Sequence, residues 1–509
     1  MKREFFIKSG VFFGTMMFFF VFSLVVAEGA NSLPPRTVLA ENAAIPVGNE
    51  AQSAEAVGAD VAISAEQAEA EAAHANGQCT CYQGNEYVCD YGYGFGSGFF
   101  SGMYSGRMKI GGWVETGIYG NNHGAKSRFD NGEFIGTSGN SDRLGKLRSP
   151  GWQVQQAWLY AERALCEDRC GFDWGFRVDG MFGTDGFATQ SWGDRTFDGN
   201  WNNRGEYAFS IPQMYVELAY NRLSVKLGKF MSPIGYEAIA APDSKFYSHS
   251  YIYEHTPATH TGALFTFDYN ECLALYGGVT TGADTGFGNR YGDIGVLLGF
   301  EAQVTTKVKL GYGFMWNQVH GGDWDDLRYR TPGSWDSGIL NAPLFGPLYL
   351  PTAGLLPGQK GNEMLHNVVL TWTPTERLTI ALEGNYGKVS KRQLQFAGGE
   401  RQTMYENIGM ALYSNYQLTH NLSVDLRGEW FRQNATMLGH GLTASPYLNQ
   451  WRHQNCYEFT AALNYSPCEW LTIRPEIRYD SVHGDNNKVF NHGRSNTQVS
   501  GGVGIIAKF

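Results

Sequence analysis

"LTIRPEIRYDS" occupies residues 471–481. Leu471, Ile473, Ile477 and Tyr479 fall on one side of this stretch, and Thr472, Arg474, Glu476, Arg478 and Asp480 on the other. Successive side chains of a strand point to opposite faces, so the segment reads as a ribbon with one apolar and one charged side. A soluble sandwich would bury the Leu/Ile face. A membrane barrel would turn it to lipid and keep the charges around water. Alternation alone leaves both open, and the remainder of the chain decides.

The same two-faced pattern recurs in about sixteen segments (14–18 strands being compatible with it), near 109–119, 153–163, 172–183, 207–220, 222–232, 259–269, 272–281, 291–304, 307–318, 363–373, 377–388, 404–417, 421–433, 455–466, 470–481 and 496–509. Soluble strands peak near five or six residues, whereas tilted strands of about ten cross the ~25 Å apolar band of an outer membrane. The connections alternate between short ("NR" at 221–222, "NE" at 270–271, "LTHN" at 418–421) and long (120–152, 184–206, 233–258, 319–362, 434–454). A sandwich has no reason to keep every second connection tight, while a barrel with short periplasmic turns and long extracellular loops does. The expected fold is therefore all-β, a transmembrane antiparallel β-barrel over 107–509. An even strand count permits closure, which leaves no unpaired backbone in lipid. Pro475 cannot donate to a ladder, so a bulge or slipped register is expected there.

The chain opens with "MKREFFIKSGVFFGTMMFFFVFSLVVAEGA", a basic start and an apolar run ending in small residues. It reads as a secretory signal peptide, 1–27, cut after Ala27, rather than a retained anchor. No later stretch approaches the ~20 consecutive apolar residues of a spanning helix. Residues 28–78 are Ala/Glu-rich and read as a flexible periplasmic leader; 79–106, rich in Cys, Gly and aromatics, reads as a linker. The composition includes 65 Gly, 14% aromatic residues and only 17% charged, which suits a large antiparallel β protein. A net charge of −10 argues against a nucleic-acid partner. Eight cysteines in an exported chain favour disulfides; Cys166 and Cys170 flank one turn, and Cys272 and Cys468 sit at others.

"TQVSGGVGIIAKF" ends the chain on an alternating strand with Phe509 last, a pattern resembling the signal read by the barrel assembly machinery. With the apolar face turned to outer-membrane lipid, the opposite face lines the lumen. Arg177, Asp179, Lys307, Lys309, Asp425, Arg427, Glu429, Arg474, Glu476, Arg478 and Asp480 are the expected wall, with Glu383 and Glu458 among further acids. Sixteen strands enclose an aqueous channel. Signs are mixed, which points to a passive path for ions and small hydrophilic solutes with weak cation preference at most. The alternative is a non-conducting barrel serving as adhesin or surface scaffold through its long loops.

Four stretches carry a resemblance: "GGWVETGIYGN" (111–121), "RVDGMFGTD" (177–185), "SIPQMYVELAYNRLSVKLGKF" (210–230) and "PIGYEAIAAPDSKFYSHSYIYEHTPATHTGAL" (233–264). Over about 111–509 the chain resembles the β-barrel porin-2 (OmpL-like) family, especially its planctomycete members. The resemblance implies an outer-membrane porin and supplies neither substrate nor established functional residues. In general porins an inward-folded loop narrows the channel; by that analogy Glu237, Asp243, Lys245, His249 and Glu254 are candidate constriction residues. General porins are often homotrimers, and lipid-facing small residues would serve such an interface.

An enzyme is disfavoured. There is no Gly-x-Ser-x-Gly elbow, and Ser248-His249-Ser250 is adjacency rather than triad geometry. His249, His255 and His260 lie close together but lack the accompanying carboxylate spacing of a metal site, so no metal or cofactor is expected.

Overall fold

The computed structural model describes residues 107–123, 151–166, 171–191, 197–198, 202–203, 207–288, 294–320, 360–391, 394–396, 399–401, 404–433, 454–484, 487–488, 490–491 and 494–509. The expected signal peptide, leader and linker lie outside them. The two-faced segments are strands: β1 Met108–Asn121, β2 Gly151–Arg163, β3 Phe172–Gly183, β4 in two pieces (Tyr207–Ser210 and Met214–Tyr220), β5 Leu223–Met231, β6 Thr259–Asn270, β7 Leu273–Ala283 and β8 Gly295–Thr305. There follow β9 Val308–His320, β10 Lys360–Thr375, β11 Leu378–Lys391, β12 Met404–Thr419, β13 Leu422–Gln433, β14 Gln454–Cys468, β15 Leu471–Gly484 and β16 Thr497–Lys508. Two single-turn helices, α1 (Gly186–Thr189) and α2 (Tyr251–Glu254), sit in loops.

Every strand pairs antiparallel with its sequence neighbours, and β1 also pairs with β16, so the sixteen strands close into a barrel. Both pieces of β4 pair with β3 across an interruption at residues 211–213, where Pro212 cannot donate. The last residue completes the seam: Gly112 N donates to Phe509 O at 3.0 Å, and Phe509 N returns to Gly112 O at 2.9 Å. Gly112 is needed there, because a Cβ would stand 2.3 Å from Trp158 O. Phe509 itself lies 72% exposed, as an outward terminal aromatic should.

The apolar faces point outward. Phe172 is 60% exposed, Phe459 52%, Leu412 52% and Ile477 59%. Cross-strand partners share a face, so the register Leu310–Leu370–Leu382–Leu412 marks one outer row; Leu310 belongs to it although its neighbours cover it. Below this aliphatic band, near the short turns, exposed Tyr220, Tyr269, Trp372, Tyr416, Tyr465 and Trp470 form an aromatic girdle. This is the arrangement hydrocarbon selects, and no soluble sandwich presents it.

Three sequence expectations change. The register holds through Pro475, which pairs with Val503 on β16; toward β14 the pairing lapses between Ala462↔Glu476 and Tyr465↔Ile473, and the irregularity falls nearer the turn. The missing N–H interrupts the ladder without sliding it. Lys307 is not a wall residue: it sits in the turn between β8 and β9, its Nζ donating to Pro374 O at 2.9 Å. The turn expected at 305–307 falls at 306–307, so the following strand begins at Val308, one residue later than expected. Of the cysteines, Cys166 is disulfide-bonded, while Cys272 and Cys468, at the short turns, are free thiols.

An outer-face test follows from this geometry. Leu412→Arg, placing a guanidinium in the middle of the lipid band, should destabilise the barrel by about 2–4 kcal/mol in urea unfolding from lipid vesicles. A change under about 0.5 kcal/mol would mean that this face does not meet hydrocarbon.

Candidate functional site

Inward positions recur every second residue, so charges two apart on neighbouring strands fall into rows across the inner wall. The register Glu383–Ala411–Glu429–Glu458–Asp480 makes an acidic row over β11–β15. The next row, Tyr413–Arg427–Thr460–Arg478, is basic. Below it come Asp425 and Glu476 in one row, then Arg474. Sign therefore alternates down the wall as it does along each strand.

The loop between β5 and β6, residues 232–258, lies inside the barrel against these rows. Its anchoring is mostly wall side chain to loop backbone. Glu429 accepts from Tyr251 N at 2.6 Å and Ile252 N at 2.7 Å, the opening amides of α2. Glu476 accepts from Tyr247 N at 2.7 Å and Ser248 N at 3.2 Å. Arg474 donates to the carbonyls of Ser244 (2.6 Å), Phe246 (3.1 Å) and Ala241 (3.2 Å). Arg478 donates to His249 O at 2.5 Å and Arg427 to Ser248 O at 3.0 Å. Charged groups bond these polar backbone atoms more strongly than neutral ones would.

Side-chain pairs complete the clamp. Arg427 meets Glu237 Oε1 and Glu458 Oε2, each at 3.0 Å. Arg478 meets Asp480 at 2.9 Å, and Tyr251 OH donates to the same carboxylate at 2.6 Å. His249 Nδ1 lies 3.0 Å from Glu237 Oε2, and Tyr413 OH shares its one proton between Glu383 Oε2 at 2.9 Å and Glu237 Oε1 at 3.2 Å. Burial works against the Glu237 charge, but Arg427 and the His249 and Ser250 hydrogen bonds outweigh it and hold the carboxyl down at about 2.

Apolar contacts fasten the loop on the other sides. Ile234 packs with Phe230, Leu264, Tyr276, Leu297, Met315 and Leu365; Ile239 and Ala241 pack with Trp113, Trp158, Met181 and Ile506. Glycines make room at inward positions: a Cβ on Gly504 would stand 2.7 Å from the Tyr247 ring, and one on Gly409 2.6 Å from Ile252. The loop is a septum attached around the wall, not a flap on the rim.

The predicted constriction residues thus divide. Glu237 and His249 are buried in the clamp, and Glu254 closes α2, half-buried. Lys245 is exposed, its carbonyl accepting from Asn464 low on β14, and half-exposed Asp243 is within electrostatic reach of Tyr160 low on β2. Of the predicted wall, Asp425, Arg427, Glu429, Arg474, Glu476, Arg478 and Asp480 are inward as expected but buried under the loop, a correction to their reading as water-facing groups. Asp179 is corrected likewise, buried where Trp158 Nε1 (3.0 Å) and Gln213 Nε2 (3.1 Å) donate to it, while Arg177 stays partly exposed, paired with Asp179 at 2.9 Å and Glu162 at 3.1 Å. Lys309 is the most open of the wall cations named above, with 49% of its side chain exposed beside Glu301 at 2.6 Å. Sequence reading missed Tyr413, Gln156 (which binds Ile239 O and Ala241 N) and the cradle glycines. Their inward parity was readable, but their partners were not.

A family profile described as "Putative beta-barrel porin-2, OmpL-like" matches residues 107–509. The chain belongs to the β-barrel porin-2 family. It is accordingly an integral outer-membrane barrel. No curated protein matches it in sequence. Among solved structures it is similar to an in-vitro folded OmpT of Vibrio cholerae described as a trimer form (9% identity, TM-score 0.46, 79% of this chain and 99% of that one). It is also similar to the outer-membrane channel DcaP of Acinetobacter baumannii (10%, 0.46, 79% and 97%). An anion-selective porin from Comamonas acidovorans matches to the same degree (10%, 0.46, 79% and 99%).

Two outcomes test the porin-2 clamp. Arg427→Met leaves Glu237 buried with only His249 beside it and Glu458 with only Arg478 at 3.9 Å, and should cost about 3–5 kcal/mol in equilibrium unfolding; an effect below about 1 kcal/mol would show that the pair is not desolvated. Because the Glu237 carboxyl is lowered from 4.5 to about 2, its contribution is complete above pH 4.5 and lost as pH falls through 2. Near-UV circular dichroism from the surrounding tyrosines should hold from pH 7 to 5 and decline between about 4 and 2. Glu237→Gln should remove that component of the decline.

Proposed function

We propose that this porin-2 barrel is a passive diffusion channel for ions and small hydrophilic solutes, its path running beside a fixed septum. The observation that carries the reading is the set of water-facing charges left free of the clamp. Lys245 on the loop is exposed, and Lys309, Glu301, Arg177, Glu162, Glu217 and Lys226 on the wall are at least partly so. They lie toward the short-turn half of the barrel. Both signs are represented and interleaved, with Lys309 beside Glu301, Arg177 beside Glu162 and Lys226 opposite Glu217 across β4–β5. A ring of one sign would select ions strongly, and interleaved signs select weakly. The buried arginines contribute position rather than selectivity, since carboxylates and carbonyls already occupy their donors. Phe509, exposed at the closing seam, is available to assembly machinery during insertion.

Planar-bilayer recording of the folded protein tests the proposal. Discrete conductance steps with a small reversal potential in a salt gradient are expected. Lys245→Glu should move that potential toward cation preference, while Arg222→Gln, at a periplasmic turn, should leave it unchanged. Folded protein that gives no steps, and liposomes that do not swell in small sugars, would overturn it.

A further inference from the structure

The upper outer face is not uniform. On β1–β3 and β7–β9 its described outward residues are uncharged: Ile118, Trp152, Phe182, Val279, Leu298 and Trp316. On β11–β15 the same level carries cations. The register Tyr386–Ile408–Arg432–Asn455–His483 runs across five consecutive strands, with Lys388 and Glu406 paired beside it at 3.3 Å. All are outward by parity, because Phe431, Cys456 and Val482 between them are fully buried on the inner face.

The row is built as a set of donors. Arg432 is exposed, and no carboxylate among the described residues pairs with it. Trp430 Nε1 donates to Asn455 Oδ1 at 3.3 Å, which occupies the acceptor end of the amide and leaves its NH₂ to donate beside Arg432. Exposed His483 has one ring nitrogen engaged, 2.8 Å from Ser481 Oγ, and its ring stands edge-on to Tyr457. Adjacent strands lie about 4.8 Å apart, so Arg432 and His483, separated by β14, span about the width of one phosphate and its hydration. Trp430 and Tyr457 lie immediately below, where the first methylenes of a lipid would run.

We propose that Arg432, Asn455 and His483 bind the phosphate of an anionic lipid of the outer leaflet, with its acyl chains lying down the aliphatic face of β12–β15. The inference rests on reading this face as lipid-bathed and is independent of conduction. A guanidinium fork and an amide donor match phosphate oxygens, and desolvation at the membrane interface strengthens the contact. Glu406, already paired with Lys388, does not cancel Arg432.

Native mass spectrometry of the detergent-solubilised full barrel, titrated with phosphatidylglycerol and separately with phosphatidylcholine, tests this. Phosphatidylglycerol should be retained in preference to phosphatidylcholine. Arg432→Ser and His483→Ser should each weaken its retention, by about fivefold for the arginine. Arg377→Ser, at a periplasmic turn, should leave retention unchanged, and heat-modifiable gel mobility checks that each variant is folded. Equal retention by wild type and Arg432→Ser would overturn the site, as would equal loss in Arg377→Ser. Displacement of the lipid by millimolar inorganic phosphate would assign the row to free anions instead. Conductance steps preserved in Arg432→Ser with lipid retention lost separate this inference from the channel reading.

Discussion

Hydrocarbon offers no partner to a backbone N–H or C=O, and the architecture follows from that constraint. Strands in lipid must pair on both edges, so the sheet closes, and the closing pair is β1 with β16. Closure places the chain's last residue at the seam, where Phe509 and Gly112 exchange both backbone bonds. The same solvent turns the aliphatic faces outward and leaves the charged faces to the enclosed space. What fills that space is then a separate problem, since sixteen strands enclose more volume than their own side chains can occupy.

Here a loop fills much of it, and the manner of attachment is physically specific. A chain entering the barrel brings backbone polar groups that water would otherwise satisfy, and each left unbonded costs on the order of 1–3 kcal/mol. The wall answers with carboxylates where the loop turns amides toward it and with arginines where it turns carbonyls. Glu429 takes two successive N–H groups and Arg474 three carbonyls, so one wall side chain satisfies several backbone atoms. Opposite charges in adjacent register rows also offset one another's burial. Removing one member therefore exposes a deficit in its neighbours, which is why isolated pair energies understate the network.

The division between legible and illegible features has a physical origin. Parity along a strand is local, so the inward set around Arg427 and Arg478 and the outward set around Leu412 and Phe459 could be read from alternation. Lys307 reads as wall in the sequence because the uncertainty of a strand end is as large as the two-residue connection it belongs to. The clamp was illegible for another reason: its partners are backbone atoms, which every residue carries. Nothing in "KFYSHSYIYE" announces that Tyr247 and Ser248 amides will meet Glu476, 229 and 228 positions away. Gly409 and Gly504 were equally silent, since a glycine in a strand signals room without saying for what.

The clamp also moves the determinants of permeation. A guanidinium already donating to two carboxylates and a carbonyl, as Arg427 does, has little field left to offer a passing ion. The richest concentration of charge in the barrel is therefore the least able to discriminate among solutes. In the proposed channel discrimination passes to side chains that remain in water, Lys245 on the loop and Lys309 beside Glu301 on the wall. Over distances beyond about 8 Å such pairs are screened at physiological salt, so a solute meets them only near contact. In the proposed channel, size and hydration then govern passage more than net charge, and the acidity of the whole chain, −10, is a poor guide to what the barrel admits.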